Sequence, residues 1–479
     1  MKRMNLYKLF IALSILLGLS SCNWLDLEPT DTTTETDLFK TGDGYRIALN
    51  GIYQQMSETD LYGQQLTWGL LDVLGQTYSS SFLGTAYYAS ANYKYTDNRV
   101  KPLVEAIWEK AYNSIANCNN IIQRIETESA SLFEEGETEK NLIEGEALAL
   151  RAYLHFDILR LFAPSMKKDD GKSYIPYVDT YPCTFQPYTT NNEVLKKAIA
   201  DLKRAKDLVG PFDTADLKWM LTRYRFENDV RAGGGRTNLF LAYRGYRMNY
   251  FAICALLARV YNYAGMHKEA FDEASIVIEA TGDSYGTLIF EPTSLSGLSD
   301  GNIKLYDELI FSLSNRDLWT NYKSYYVSTS DQLVLAERNT TDLFDSPIDM
   351  RGNAKLVKLE SRKLFCLRNV EVGGTYATFV KDMIPMIRLG EMYYIRAEYY
   401  NSLKDIENAK SELDEFRSGY SCPPGMLTDD IESEIIKEVH REYLTEGQLF
   451  FYYKKFNHLP KKMQSDDSFV FPRPDSEDL

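Results

Sequence analysis

Along most of this chain apolar residues recur every three or four positions, the spacing of a helix with one buried face. Ile107, Ala111, Ile115, Cys118 and Ile122 mark one such stripe within 105–125. A second regularity runs over longer distances. Ala258 is followed by Tyr261, Ala270 and Ala274, and Ala397 by Tyr400, Ala409 and Leu413, so both sets share offsets of 3, 12 and 16. Small residues at these places let two helices approach closely, while the aromatic fills the gap to the next pair.

The spacing predicts helix pairs of the tetratricopeptide kind. A third copy is split: Ala152 and His155 occupy first-helix positions, Ala198, Leu202 and Ala205 second-helix positions, and a Pro- and Tyr-containing excursion over 163–190 separates them. The expected fold is therefore mainly α, a tetratricopeptide-like, right-handed superhelical scaffold of helix pairs at about 102–162 with 192–209, 247–281 and 383–418. Two regions break the pattern. Residues 61–100 are crowded with Gly, Ser and Tyr, and 282–382 mix turns with short β-like runs at 309–313 and 355–359. A long irregular, partly β insertion in a helical scaffold is where binding residues concentrate.

The N-terminus follows a different rule. Lys2, Arg3 and Lys8 precede an apolar run from Leu9 to Leu19 that is too short to cross a bilayer, and Leu19-Ser20-Ser21-Cys22 closes it. This is the form of a signal peptide over 1–21 ending in a bacterial lipobox. Cys22 would become the mature N-terminus, its thiol carrying a diacylglycerol and its amine a further acyl chain, enough for stable anchoring. A Thr-, Asp- and Glu-rich stretch over 22–36 reads as a flexible spacer, and 37–479 as a single domain. Lipid attachment at Cys22 predicts a protein tethered to the outer membrane at its extracellular face.

The formal net charge of −15 would become more negative on loss of the three N-terminal basic residues, which argues against nucleic acid as a partner. A local cluster such as Arg223, Arg225, Arg231 and Arg236 could still make a basic pocket. Aromatic residues make up 13% of the chain, with 35 tyrosines, and those outside the core offer an apolar ring with a polar tip. Cys118, Cys183, Cys254, Cys366 and Cys422 form no C-x-x-C pair, so no disulfide framework is expected; Cys118 and Cys254 read as small buried hydrophobes.

Trp24-Leu25-Asp26, the stretch from Gly44 to Met56, Trp108-Glu109-Lys110-Ala111-Tyr112 and the run from Gly145-Glu146-Ala147 through Arg151-Ala152, His155-Phe156-Asp157 and Arg160-Leu161-Phe162 resemble the SusD/RagB family. So do Leu256 to Arg259, Arg388-Leu389-Gly390-Glu391 and Arg441 to Gly447, in the expected order. Gln448 departs from the pattern, standing where the family often has a basic residue, and the chain ends soon after Phe471-Pro472-Arg473-Pro474. The resemblance implies a nutrient-binding surface lipoprotein that partners a SusC-like TonB-dependent outer-membrane transporter and binds rather than cleaves. Its aromatic binding arcs resemble two stretches here: Tyr87, Tyr88, Asn92, Tyr93 and Tyr95 in the first insertion, and Arg316, Trp319, Asn321, Tyr322, Tyr325 and Tyr326 in the second.

Physically, such residues suit an oligosaccharide, whose C–H faces stack on flat rings while its hydroxyls take Asn and Arg, or an oligopeptide. Catalytic signals are weak. Gly282-Asp283-Ser284-Tyr285-Gly286 fits G-x-S-x-G, but a helix is expected before it, where a nucleophile elbow needs a strand. Gly233-Gly234-Gly235 lacks the Lys of a phosphate loop. No catalytic residue, cofactor or metal ligand is expected. Glu146, Arg151, Arg388, Glu391, Glu442 and Glu446 are read as structural ion pairs between helices. The leading expectation is a lid that captures an oligomeric nutrient; the rivals are a surface scaffold for protein partners and a surface glycan hydrolase.

Overall fold

A computed structural model describes residues 35–183, 185–228 and 236–478. The lipobox, Cys22, most of the proposed spacer, Arg231 and Gly233 to Gly235 lie outside the described residues. Eleven helices of nine or more residues are seen within them: α1 Gly42–Met56, α2 Lys101–Ile125, α3 Gly136–Phe162, α4 Asn191–Asp213, α5 Tyr250–Tyr263, α6 His267–Ile278, α7 Leu318–Val327, α8 Leu389–Ser402, α9 Ile406–Gly419, α10 Ile431–Glu442 and α11 Gln448–Phe456. The fold is mainly helical. No described helix is long and apolar enough to cross a membrane.

Each helix from α1 to α6 packs on the next, α6 packs on α8, and α8 on α9 and α10. The residues of the 3, 12 and 16 spacing lie where close approach is needed: Ala258, Ala270, Ala274, Ala397, Ala409 and Leu413 are buried. Tyr400 of α8 sets its ring edge-on to Phe271 of α6 at 5.6 Å, filling the gap between successive pairs. The split copy closes as its spacing requires, with α3 against α4 and Ala152, Ala198, Leu202 and Ala205 buried between neighbours. The excursion between them forms a small antiparallel hairpin of β1 Ser173–Pro176 and β2 Tyr188–Thr190.

Long α3, buried from Leu142 to Phe162, carries the motif from Gly145 to Phe162. Gly145 is required there because a Cβ would meet the Val209 side chain of α4 at 2.7 Å. Buried His155 accepts from the Val178 backbone N–H at its Nε2, 2.9 Å, and stacks on Tyr177 with ring centroids 3.9 Å apart. Its first-helix position thus serves to hold the β1 side of the hairpin.

The second insertion is closed at its base by β3 Leu309–Ser314 paired antiparallel with β6 Met383–Arg388; β4 Val357–Glu360 and β5 Lys363–Cys366 form a separate hairpin inside it. Three boundaries differ from the sequence reading. Residues 383–388 are strand rather than the start of a helix, because both faces of β6 are buried and its apolar run pairs with β3. Residues 61–75 are buried throughout, so this part of the first insertion is core and not a ligand-facing loop. The spacer ends earlier than 36: Glu35 begins a helical turn and accepts from Arg124 at 2.6 Å.

The conserved-looking charges are structural pairs in the described chain. Glu146 accepts from Arg244 at 2.5 Å and Arg247 at 2.7 Å, which hold its carboxyl below the usual range despite complete burial. Arg151 pairs with Asp201, and Arg259 with Glu391. Arg388, at the junction of β6 and α8, donates to both oxygens of Glu446 and to Glu308. Removing one partner of such a set leaves a bare buried charge, which is why these positions are tightly specified.

Candidate functional site

The two aromatic insertions, more than 200 residues apart in sequence, meet along a backbone seam. Ala336 N–H donates to Thr77 O (2.9 Å), Ser79 N–H to Val334 O (2.8 Å) and Gln332 N–H to Phe82 O (2.8 Å), while Gly84 N–H donates to the Asp331 carboxylate (2.7 Å). Leu335 in turn donates to Leu364 O of β5, so the seam extends to the inner hairpin.

Behind the seam lies a ring cluster built on Trp68. Tyr322 and Tyr325 approach it at 5.2 and 5.4 Å, and Tyr87 lies 5.7 Å from Tyr325. The Gln64 side-chain amide donates to the hydroxyls of both Tyr87 (2.9 Å) and Tyr325 (3.2 Å), which ties one insertion to the other through a polar contact. Burial raises the Tyr87 and Tyr322 phenols well above their ordinary pKa, so both act as neutral hydroxyls.

Helical periodicity in α7 sorts its aromatics. Leu318 and Tyr322 turn into the core, and Tyr325, one turn on, reaches Trp68 from the edge. Trp319 and Tyr326, seven positions apart, share the adjacent half-exposed face with centroids 6.2 Å apart, and the Lys323 ammonium sits 5.9 Å above Trp319. Asn321 is half-exposed and Arg316 exposed at the same end. In the first insertion Tyr88 is 53% exposed on the helical turn Thr85–Ser90, and Asn92 donates to the Tyr88 carbonyl at 2.7 Å.

Four sequence candidates are therefore corrected. Tyr87 and Tyr322, on the inward faces of their short helices, and Tyr95, in the turn before α2, are buried packing groups. Tyr93 is half-buried with its hydroxyl spent: it donates to Leu74 O and accepts from Gln76. Tyr95 donates to Ser468 O and packs on Phe471, away from the Trp68 cluster. Tyr88, Asn92, Arg316, Trp319, Asn321, Tyr325 and Tyr326 keep accessible surface. Trp68 and Gln64, which organise the cluster, were missed; the dense apolar run from Leu66 to Leu74 was the available signal.

Of the possible basic pocket, Arg231 lies outside the described residues, and Arg225 and Arg236 are committed elsewhere. Arg225 is buried and donates to the backbone carbonyls of Met220, Ile289, Asp307 and Leu309, while Arg236 lies over Phe212 and Trp219. The G-x-S-x-G stretch is an exposed turn after α6, in which the Asp283 carboxylate accepts from Tyr285 and Thr287.

A helical array carrying an aromatic insertion is the class this architecture defines. Residues 23–221 match the SusD-like_3 family model, described as starch-binding and associating with the outer membrane. SusD-like protein P2 of Formosa agariphila is 30% identical over 205 residues, 43% of this chain; the match spans only 38% of that protein's length. A SusD superfamily protein of Bacteroides thetaiotaomicron superposes with a TM-score of 0.67 at 21% identity, over 91% of this chain and 97% of that one. A SusD-like carbohydrate binding protein of Bacteroides vulgatus does so at 0.68 and 16% identity, over 92% and 96%. The chain shares the fold of these SusD superfamily structures, and its stretch 23–221 matches the SusD-like_3 model.

Proposed function

We propose that this protein is a lipid-anchored lipoprotein on the extracellular face of the outer membrane that captures a neutral oligosaccharide and passes it to a SusC-like TonB-dependent transporter without cleaving it. The observation that carries the reading is the junction of the two insertions: buried Trp68, Tyr87 and Tyr322 fix a rigid base, and Trp319, Tyr325 and Tyr326 present ring surface over it. Rings held in place by their neighbours lose little freedom on binding, which favours weak stacking contacts. Asn321, Asn92 and Arg316 supply donors for hydroxyls.

The family model's starch-binding character and the similarity in fold to a carbohydrate binding protein of Bacteroides vulgatus support a glycan over a peptide. Cys22 supplies the anchor, and the helix array a platform for the transporter. Co-purification from detergent-solubilised outer membranes tests the partnership: a TonB-dependent transporter should be recovered with the wild-type protein, and its absence would refute the lid role. A purified protein that releases reducing ends from glycans would refute the non-catalytic reading.

A further inference from the structure

A second cleft lies away from the Trp68 cluster. Its volume is about 870 Å³, within the roughly 300–1,000 Å³ typical of small-ligand sites. Three stretches wall it: 93–97 before α2, 164–174 after α3, and 464–472 together with the end of α11. The C-terminal wall is fixed rather than loose, since Phe471 N–H donates to Leu161 O at 3.0 Å and the Phe471 ring packs on Phe162 at 5.6 Å and Tyr95 at 5.0 Å.

The lining defines what would fit. Three carboxylates facing the cleft are paired: Asp97 with Arg99 at 2.6 Å, Asp170 with Lys172 at 2.6 Å and Asp466 with Lys168 at 2.9 Å, while Lys94 and Asp467, opposite in sign, line it without a salt bridge among the described residues. Lys454, buried at the floor, donates to three backbone carbonyls, those of Arg160, Leu161 and Phe469, and has no free N–H to offer an anion. Apart from the committed Lys454, the lining charges cancel, so the cleft has no net charge that would favour a bare cation or anion. Uncommitted polar groups of the neutral kind remain. Among the described residues, no side-chain hydrogen bond ties the hydroxyls of Ser165 and Thr96 or the amide of Asn457, and all three residues line the cleft.

Tyr93 and Asn457 both line the cleft from left-handed backbone, with φ of 55° and 54°. For a bulky Tyr that conformation is uncommon and persists only where the surroundings impose it. Here the tied Tyr93 hydroxyl does so, fixing the ring as part of the wall. Tyr174 forms another aromatic part of the wall, its hydroxyl donating to Asp170 at 2.9 Å. Fixed aromatic rings, charge-balanced carboxylates and untied hydroxyl and amide groups match one ligand chemistry, a neutral polyhydroxylated ring.

We propose that this cleft is a second saccharide site, one that takes a short neutral oligosaccharide between Tyr93, Tyr174, Asn457 and Ser165, separate from the Trp319 surface. The proposal stands on the cleft alone and does not require the Trp319 reading to hold.

Hydrogen–deuterium exchange of the full mature chain with a panel of neutral gluco-, manno- and galacto-configured oligosaccharides at millimolar concentration tests it. At least one panel member should protect segments 164–174 and 464–472. Combining Ser165→Ala with Asn457→Gly, which removes both polar groups while accommodating the left-handed backbone, should weaken that protection about tenfold in apparent affinity, the loss of two modest hydrogen bonds. Protection over 318–327 and the melting temperature should be unchanged by the pair of substitutions. If no oligosaccharide protects the cleft segments, or the double variant is protected like wild type, the second site is wrong. Loss or absence of protection at 318–327 alone would instead count against the Trp319 surface.

Discussion

The ring of Tyr87, from the first insertion, lies 5.7 Å from that of Tyr325, from the second, and one Gln64 amide donates to both hydroxyls. The proposed binding surface is thus assembled from two distant parts of the chain, and it is only as firm as the buried rings that join them. Trp68 and Tyr322 are fully buried at this joint. Replacing either by Ala should cost about 3–5 kcal/mol, read as a lower urea midpoint. Tyr88→Ala, at an exposed ring, should change stability by less than about 0.5 kcal/mol.

Arg388 makes a two-pronged contact with Glu446 and a further bond to Glu308, all within a buried region. Glu446→Ala should destabilise the fold by about 3–5 kcal/mol, because the buried Arg388 and Arg368 guanidiniums lose the carboxylate they share. Arg388→Met combined with Glu446→Leu should cost less than Glu446→Ala alone. Equal losses in urea unfolding would show that the pair is not what holds this region.

His155 gives a pH signature. Burial, with Arg151 nearby, lowers its pKa from 6.5 to about 3, and its Nε2 is occupied as an acceptor. Between these two values the unfolded chain takes up a proton that the folded chain refuses. The contribution of this group to stability is therefore lost as pH falls from about 6.5 towards 3, at a slope of up to roughly 1.4 kcal/mol per pH unit. His155→Gln, which retains an acceptor, should flatten that part of the stability–pH curve; an unchanged slope would show that His155 does not titrate on unfolding.

If Cys22 carries the lipid, Cys22→Ala should move the protein from the outer-membrane fraction to the soluble fraction without altering the melting temperature of the folded part. Retention in the membrane fraction would mean that the anchor lies elsewhere.

The helix pairs were legible because their signal is local and repeated. The same offsets link Ala258 to Ala274 and Ala397 to Leu413, and the split copy from Ala152 to Ala205 kept its spacing across the excursion. The structural ion pairs were legible as a type but not as partners: Arg388 meets Glu446, and Glu391 meets Arg259, contacts that only the tertiary fold sets. Of the aromatic candidates, the sequence located the segments but could not divide Tyr87 from Tyr88 or Tyr322 from Trp319. Successive helical residues are turned about 100° from one another, and which face closes on the core depends on Trp68, in a run that read as loop. The cleft beside Tyr93 had no sequence signal, since its walls come from three separate stretches.

The central claim is that the Trp319 face captures a glycan, and calorimetry on the mature protein tests it most directly. The wild type should bind at least one member of a neutral oligosaccharide panel, and Trp319→Ala with Tyr326→Ala should weaken binding at this face about tenfold or more, the worth of two stacking contacts, with the melting temperature retained. Undiminished binding by a folded double variant, with protection over 318–327 intact, would contradict the account.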